Sequence, residues 1–110
     1  MAGSDLYTGS LDLLILKALS WDAQHGYAIG RWIRQTTRDM LRVQEGALYP
    51  ALHRLEKRGY LEELWGVSET GREAKFYRLS PSGRKRLREE TLRWRRYARM
   101  MQLALAAPRP

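Results

Sequence analysis

The sequence predicts a mainly α-helical chain carrying one small β-hairpin. Three observations carry this reading. Apolar residues recur at helical spacing in three separate segments before residue 60. Residues 60–79 form two short strand-like runs around a polar, glycine-flanked stretch. Ser80-Pro81 then opens a long final helix with a capping residue followed by proline. The chain has 110 residues, a length that implies one domain with a thin core. It is 44% hydrophobic and 29% charged, too apolar for a disordered chain.

Residues 1–8 read as a flexible N-terminal tail. Leu11, Leu14, Ile15, Ala18 and Leu19 then follow helical spacing, while Leu13 and Leu16 add a second apolar face. Ser10 or Thr8 is the expected cap. A turn near Trp21 to Gly26 leads to a second helix ending at about Thr36, with Tyr27, Ile29, Trp32 and Ile33 available for packing. A third helix is expected from about Gly46 to Arg58, with Leu48, Leu52 and Leu55 as its buried stripe. Pro50 places its start no earlier than about Gln44, and Gly59 closes it as a left-handed cap. Tyr60 to Trp65 and Ala74 to Leu79 are the strands, and most of Tyr60, Trp65, Phe76 and Tyr77 are expected in the core. The last helix is expected from about Arg84 to Ala106, and the prolines of the tail at 108–110 end it.

Charge is unevenly placed. Net charge is +8, with 20 Lys+Arg against 12 Asp+Glu. Arg72 to Arg99 holds the entire excess, and the remainder of the chain balances to zero. A localised basic surface suits a polyanion, most often nucleic acid; a solvated arginine-rich helix gives the same arithmetic. Cysteine is absent, which excludes disulfides, cysteine-based metal sites and thiol nucleophiles. His25 and His53 are the two histidines, and no carboxylate spacing completes a metal site with them. No nucleophile–base pair or phosphate-cradling glycine loop is present, so neither catalysis nor a cofactor is expected. The polar N-terminus and the lack of a long apolar run point away from secretion and membranes, towards a cytoplasmic setting.

Three helices followed by a hairpin is the order of a winged helix, a fold that places one helix in the DNA major groove. With its leucine stripe turned inward, the third helix offers Ala47, Tyr49, Pro50, His53, Arg54 and Lys57 outward as candidate DNA contacts. Arg72 and Lys75 are candidates on the hairpin, and Arg84 to Arg88 for the DNA backbone. Along the last helix, Leu87, Thr91, Trp94, Ala98, Met101 and Leu105 form an imperfect heptad-like seam that favours a helical partner.

The stretch Glu45-Gly-Ala-Leu-Tyr-Pro-Ala-Leu-His-Arg-Leu-Glu-Lys-Arg-Gly59 resembles the signature of the PadR family of bacterial transcriptional regulators. Leu11 to Leu19, His25-Gly26-Tyr27 and Lys75 to Gly83 resemble its first helix, second-helix start and second wing strand. The resemblance spans roughly residues 8–100 and is most specific at Leu48 to Glu56. It implies a homodimer, usually a repressor, on a palindromic double-stranded DNA operator. It places Tyr49, Pro50, His53 and Arg54 on the recognition helix and Lys75 on the wing. It implies residues 9–80 as the winged-helix domain and 81–107 as a dimerisation helix packing on the partner's first helix. Leu11, Leu14 and Ile15 then join the seam in the dimer interface.

In multidrug-binding relatives, a tryptophan on this helix stacks flat aromatic ligands between subunits. By that analogy Trp94, with Leu14 and Ala98, is a candidate site for a small aromatic effector; filling the dimer core is the other role open to Trp94. The alternative to a DNA-binding regulator is a winged-helix interaction or ligand-sensor module without specific DNA binding.

Overall fold

The computed structural model describes the main chain of residues 2–110 and the side chains of residues 9–110. Its elements are α1 (Ala2–Ala18), β1 (Gln24–His25), α2 (Gly26–Thr36), α3 (Glu45–Lys57), β2 (Leu61–Val67), β3 (Glu73–Leu79) and α4 (Pro81–Leu105). The expected class, mainly helical with a hairpin, is borne out. The main chain of residues 2–8 continues α1, so neither Thr8 nor Ser10 is its cap; the side chains of the expected tail lie outside the described residues.

The core forms where three helical stripes meet the base of the hairpin. Leu11, Ile15, Leu16 and Leu19 of the α1 region face Ile29 and Ile33 of α2 and Leu48, Leu52 and Leu55 of α3. Leu61, Tyr77 and Leu79 close it from the sheet. Leu11 and Ile15 are therefore buried within their own chain and cannot meet a partner, which corrects their expected place in a dimer interface. The second apolar face of α1, at Leu13 and Leu14, is half-buried and borders grooves along α4 of the same chain.

The sheet is antiparallel in the order β1-β3-β2. β1 is short and lies where a turn is expected; Gln24 pairs with Tyr77 and His25 with Phe76. Two residues are too few to leave an alternating pattern in a sequence. The hairpin turn is closed by Gly71, whose φ of +81° is the left-handed conformation glycine adopts freely. Of the four hairpin aromatics, Tyr77 is buried, Tyr60 and Phe76 are half-buried, and Trp65 is 62% exposed because the outer half of the hairpin extends beyond the core.

The end of α3 and the start of α4 form one joint. Gly59, at φ +82°, closes α3 as expected. The Tyr60 amide donates to the Leu55 carbonyl and the Gly59 amide to that of Glu56, the paired bonds of a Schellman motif. The Gly59 carbonyl accepts from the Ser80 and Ser82 hydroxyls at 2.6 and 2.8 Å. Ser80 caps α4 by accepting from the Gly83 amide, as Ser-Pro predicts. A Cβ at Gly83 would sit 2.1 Å from the Tyr60 carbonyl oxygen. Gly83→Ala is therefore expected to cost about 1–3 kcal/mol in urea denaturation. Gly46→Ala, which meets open space, is expected to cost nothing.

Candidate nucleic-acid interface

α3 buries Leu48, Ala51, Leu52 and Leu55 and turns Tyr49, Pro50, His53 and Lys57 outward. That division follows from the leucine spacing alone. Pro50 stands at the sixth helical position, so the Gly46 carbonyl lacks the amide it would otherwise accept from. Ala47 is half-buried against the core, which leaves it less outward than expected.

The start of α2 supports α3. A Cβ on Gly26 would fall 2.7 Å from the Tyr49 ring, so glycine lets the two helices meet there. His25 caps α2: the Ala28 amide donates to Nδ1 at 3.2 Å, which leaves Nε2 to carry the proton. Nε2 donates to Glu69 of the wing, also at 3.2 Å. His25 thus has the local hydrogen-bonding role expected of it, and it also reaches the hairpin. The Glu69 carboxyl lies below the ordinary carboxylate range because its own amide, then His25, favours the charged form. Among the described residues no group of three or more potential ligands is arranged to hold a metal.

Two expected DNA contacts are committed inside the chain. Arg54 Nη2 pairs with Asp12 of α1 at 2.5 Å. Lys75 lies within β3, 2.8 Å from Glu63 and 3.1 Å from Glu56. Glu63, then Glu56, holds the Lys75 ammonium well above the ordinary lysine range, against the opposing pull of burial. These pairs join residues 42 and 19 positions apart, which no local pattern reveals. Arg72 does lie at the wing tip, on a groove of about 800 Å³ between the hairpin and the helices, together with His25, Tyr27, Arg31 and Tyr49. Arg84 donates to the Ser20 carbonyl at 3.3 Å, and Arg86 pairs with Glu90 at 3.0 Å, so both are engaged by their own chain.

The candidate effector residues are not brought together. Trp94, 49% exposed, borders a groove of about 270 Å³ with Leu13 and Tyr97. Leu14 borders an adjoining groove with Leu87 and Thr91, which shares Leu13 with the first, and Ala98 borders neither. Sequence reasoning missed Tyr97, which stands three positions past Trp94 and outside the heptad spacing. Beyond Thr91, the seam residues Trp94, Met101 and Leu105 are exposed within the single chain, as are Tyr97, Met100 and Leu103.

Three helices, a hairpin and an outward helix face between them define a winged-helix, DNA-binding class of protein. The pattern of the transcriptional regulator PadR-like family matches residues 15–89. A transcriptional regulator from Clostridium thermocellum superposes with a TM-score of 0.80 at 32% identity, over 89% of this chain and 95% of that one. A PadR family transcription regulator from Clostridium difficile gives 0.77 at 28%, over 87% and 98%. An uncharacterised protein of Lysinibacillus sphaericus is 32% identical over 86% of each chain. The transcriptional regulator Rv3488 of Mycobacterium tuberculosis is 44% identical over 56% of this chain and 57% of its own. The chain belongs to the PadR-like family of transcriptional regulators. It is a DNA-binding regulator and not an enzyme, as the sequence reading expects.

Glu63, held low first by Lys75, gives an expectation for acid stability. Its ionised form stabilises the fold above the unfolded carboxylate pKa of about 4.3. That contribution is lost as pH falls through the lower folded value. Glu63→Gln should lower the urea midpoint at neutral pH, and the gap to the parent should close as the pH falls below the ordinary carboxylate range. A gap that persists in acid contradicts the pairing.

Proposed function

We propose that this chain is a homodimeric repressor that reads a palindromic operator through α3. The observation that carries the reading is the face of α3: Tyr49, Pro50, His53 and Lys57 are outward together while the leucine stripe is buried. Tyr49 and His53 offer donors to phosphates or base edges, and Lys57 and the wing-tip Arg72 add phosphate contacts. Arg54 and Lys75 act as positioning residues that set α3 against α1 and the wing.

The dimer reading rests on α4. Its C-terminal half carries Trp94, Tyr97, Met100, Met101 and Leu103, which a second copy would cover. A two-fold through that contact would set two α3 helices in major grooves one helical turn, about 34 Å, or a multiple of it apart. The parent should sediment at twice 12.9 kDa and enrich palindromes from genomic fragments. Tyr97→Glu with Met101→Glu should give monomers that enrich none. A monomeric parent, or enrichment without two-fold symmetry, overturns the reading.

The groove beside Trp94 favours a second element, release from DNA by a small planar aromatic. Its Trp94 and Tyr97 rings and the Leu13 side chain suit a flat apolar ligand. Tryptophan fluorescence should quench on titration with planar aromatics in the parent and not in Trp94→Ala. Identical quenching in both removes Trp94 from the site.

A further inference from the structure

The arginines of α2 and of the connection to α3 line a second groove that neither the charge arithmetic nor the family signature singles out. Arg31 and Arg34 stand three positions apart on one face of α2. Arg42 approaches them from the connection, and the three border a groove of about 200 Å³ beside Tyr27 and Tyr49. Tyr27, Arg31 and Tyr49 also border the larger groove under the wing. The two grooves therefore make one continuous surface, from the wing tip past the outward tyrosine of α3 to the start of that helix.

Distance separates these cations from the internal ones. Arg54 and Lys75 approach their carboxylates to 2.5 and 2.8 Å, within hydrogen-bond range. Arg34 and Arg42 stand 3.7 and 3.8 Å from Asp39, and Arg31, over the Tyr27 ring, donates a long hydrogen bond of 3.5 Å to Glu69. Their side chains are 52%, 73% and 42% exposed, so these pairs are loose and open to water. Asp39 holds its place at φ +63°, with Arg38 before it at +53°. Gln44, which precedes α3, supplies no side-chain cap to that helix. Glu45 also borders the groove and opposes an anion there.

We infer that Arg31, Arg34 and Arg42 form a track for consecutive DNA backbone phosphates, flanking the groove that α3 enters. The inference rests on the duplex-DNA reading and names residues for it. Phosphates displace Asp39 and Glu69 from the guanidinium groups and take two-pronged hydrogen bonds in their place. Such contacts fix register on the duplex and carry no sequence information.

The test is fluorescence anisotropy with a mixed-sequence duplex of about 30 bp across about 50–200 mM KCl. Arg31→Gln, Arg34→Gln and Arg42→Gln are each expected to reduce the slope of log K against log salt by about 0.9. Arg99→Gln, on α4, is expected to leave it unchanged. Asp39→Asn, which frees Arg34 and Arg42, is expected to tighten binding, and its failure to do so overturns their assignment. Unchanged slopes in the three variants, with the parent binding normally, overturn the track alone. An equal fall in Arg99→Gln overturns it too, since any lost charge would then suffice. A parent that binds no duplex at all overturns the DNA reading and the track with it.

Discussion

The junction of the Gly59 and Tyr60 carbonyls with the Ser80–Gly83 turn is the constraint on which the remaining structure depends. Four elements end or begin there: α3, β2, β3 and α4. The Schellman bonds fix where α3 stops, and the two serine hydroxyls on the Gly59 carbonyl fix where α4 starts. Because Gly83 must lie against the Tyr60 carbonyl, the start of α4 has no freedom to slide. The wing between these points is a closed excursion from a rigid base. The direction of α3 is thereby set from its C-terminal end, and Tyr49 resting on Gly26 sets it from the other.

Two kinds of cation share this frame, and formal charge does not separate them. Arg54 and Lys75 hold α3 to α1 and to the sheet, and each has its carboxylates close by. Removing one of them would leave a half-buried carboxylate without its partner, so their loss is a folding defect first. Arg72 lies on the wing-tip groove, and Lys57 is exposed on α3. The net excess lies in residues 72–99, yet several of those arginines are tied to their own chain, Arg86 and Arg93 through Glu90 among them. Meanwhile the segment with zero net charge contributes the arginines of α2. A sum over sequence counts ions; an interface depends on which ions have no near partner.

Much of the fold was legible because its signals are local. The Leu48–Leu52–Leu55 stripe, the Gly59 cap and the Ser80-Pro81 start each depend on a few neighbouring residues, and each lies where the sequence places it. What was not legible is long-range or too short. β1 has two residues and owes its strand geometry to β3. The burial of Leu11 and Ile15 depends on which of two apolar faces of α1 meets α3, and spacing alone does not rank the faces. The interface residues divided the same way. The outward side of α3 followed from its period, whereas the engagement of Arg54 and Lys75 required the positions of Asp12, Glu56 and Glu63 in space.

The two apolar faces of α1 also explain how the halves of the molecule are joined. Leu11, Ile15, Leu16 and Leu19 lie in the core with α2 and α3, while Leu13 and Leu14 line the grooves along α4. Asp12, between them in sequence, ties α1 to Arg54 of α3. A close-packed helix does not move one face without the other. α1 therefore ties α4 to α3 through the shared core and the Asp12–Arg54 pair. The groove beside Trp94 and the outward face of α3 are thus separated by a single helix, α1, which packs against both α4 and α3.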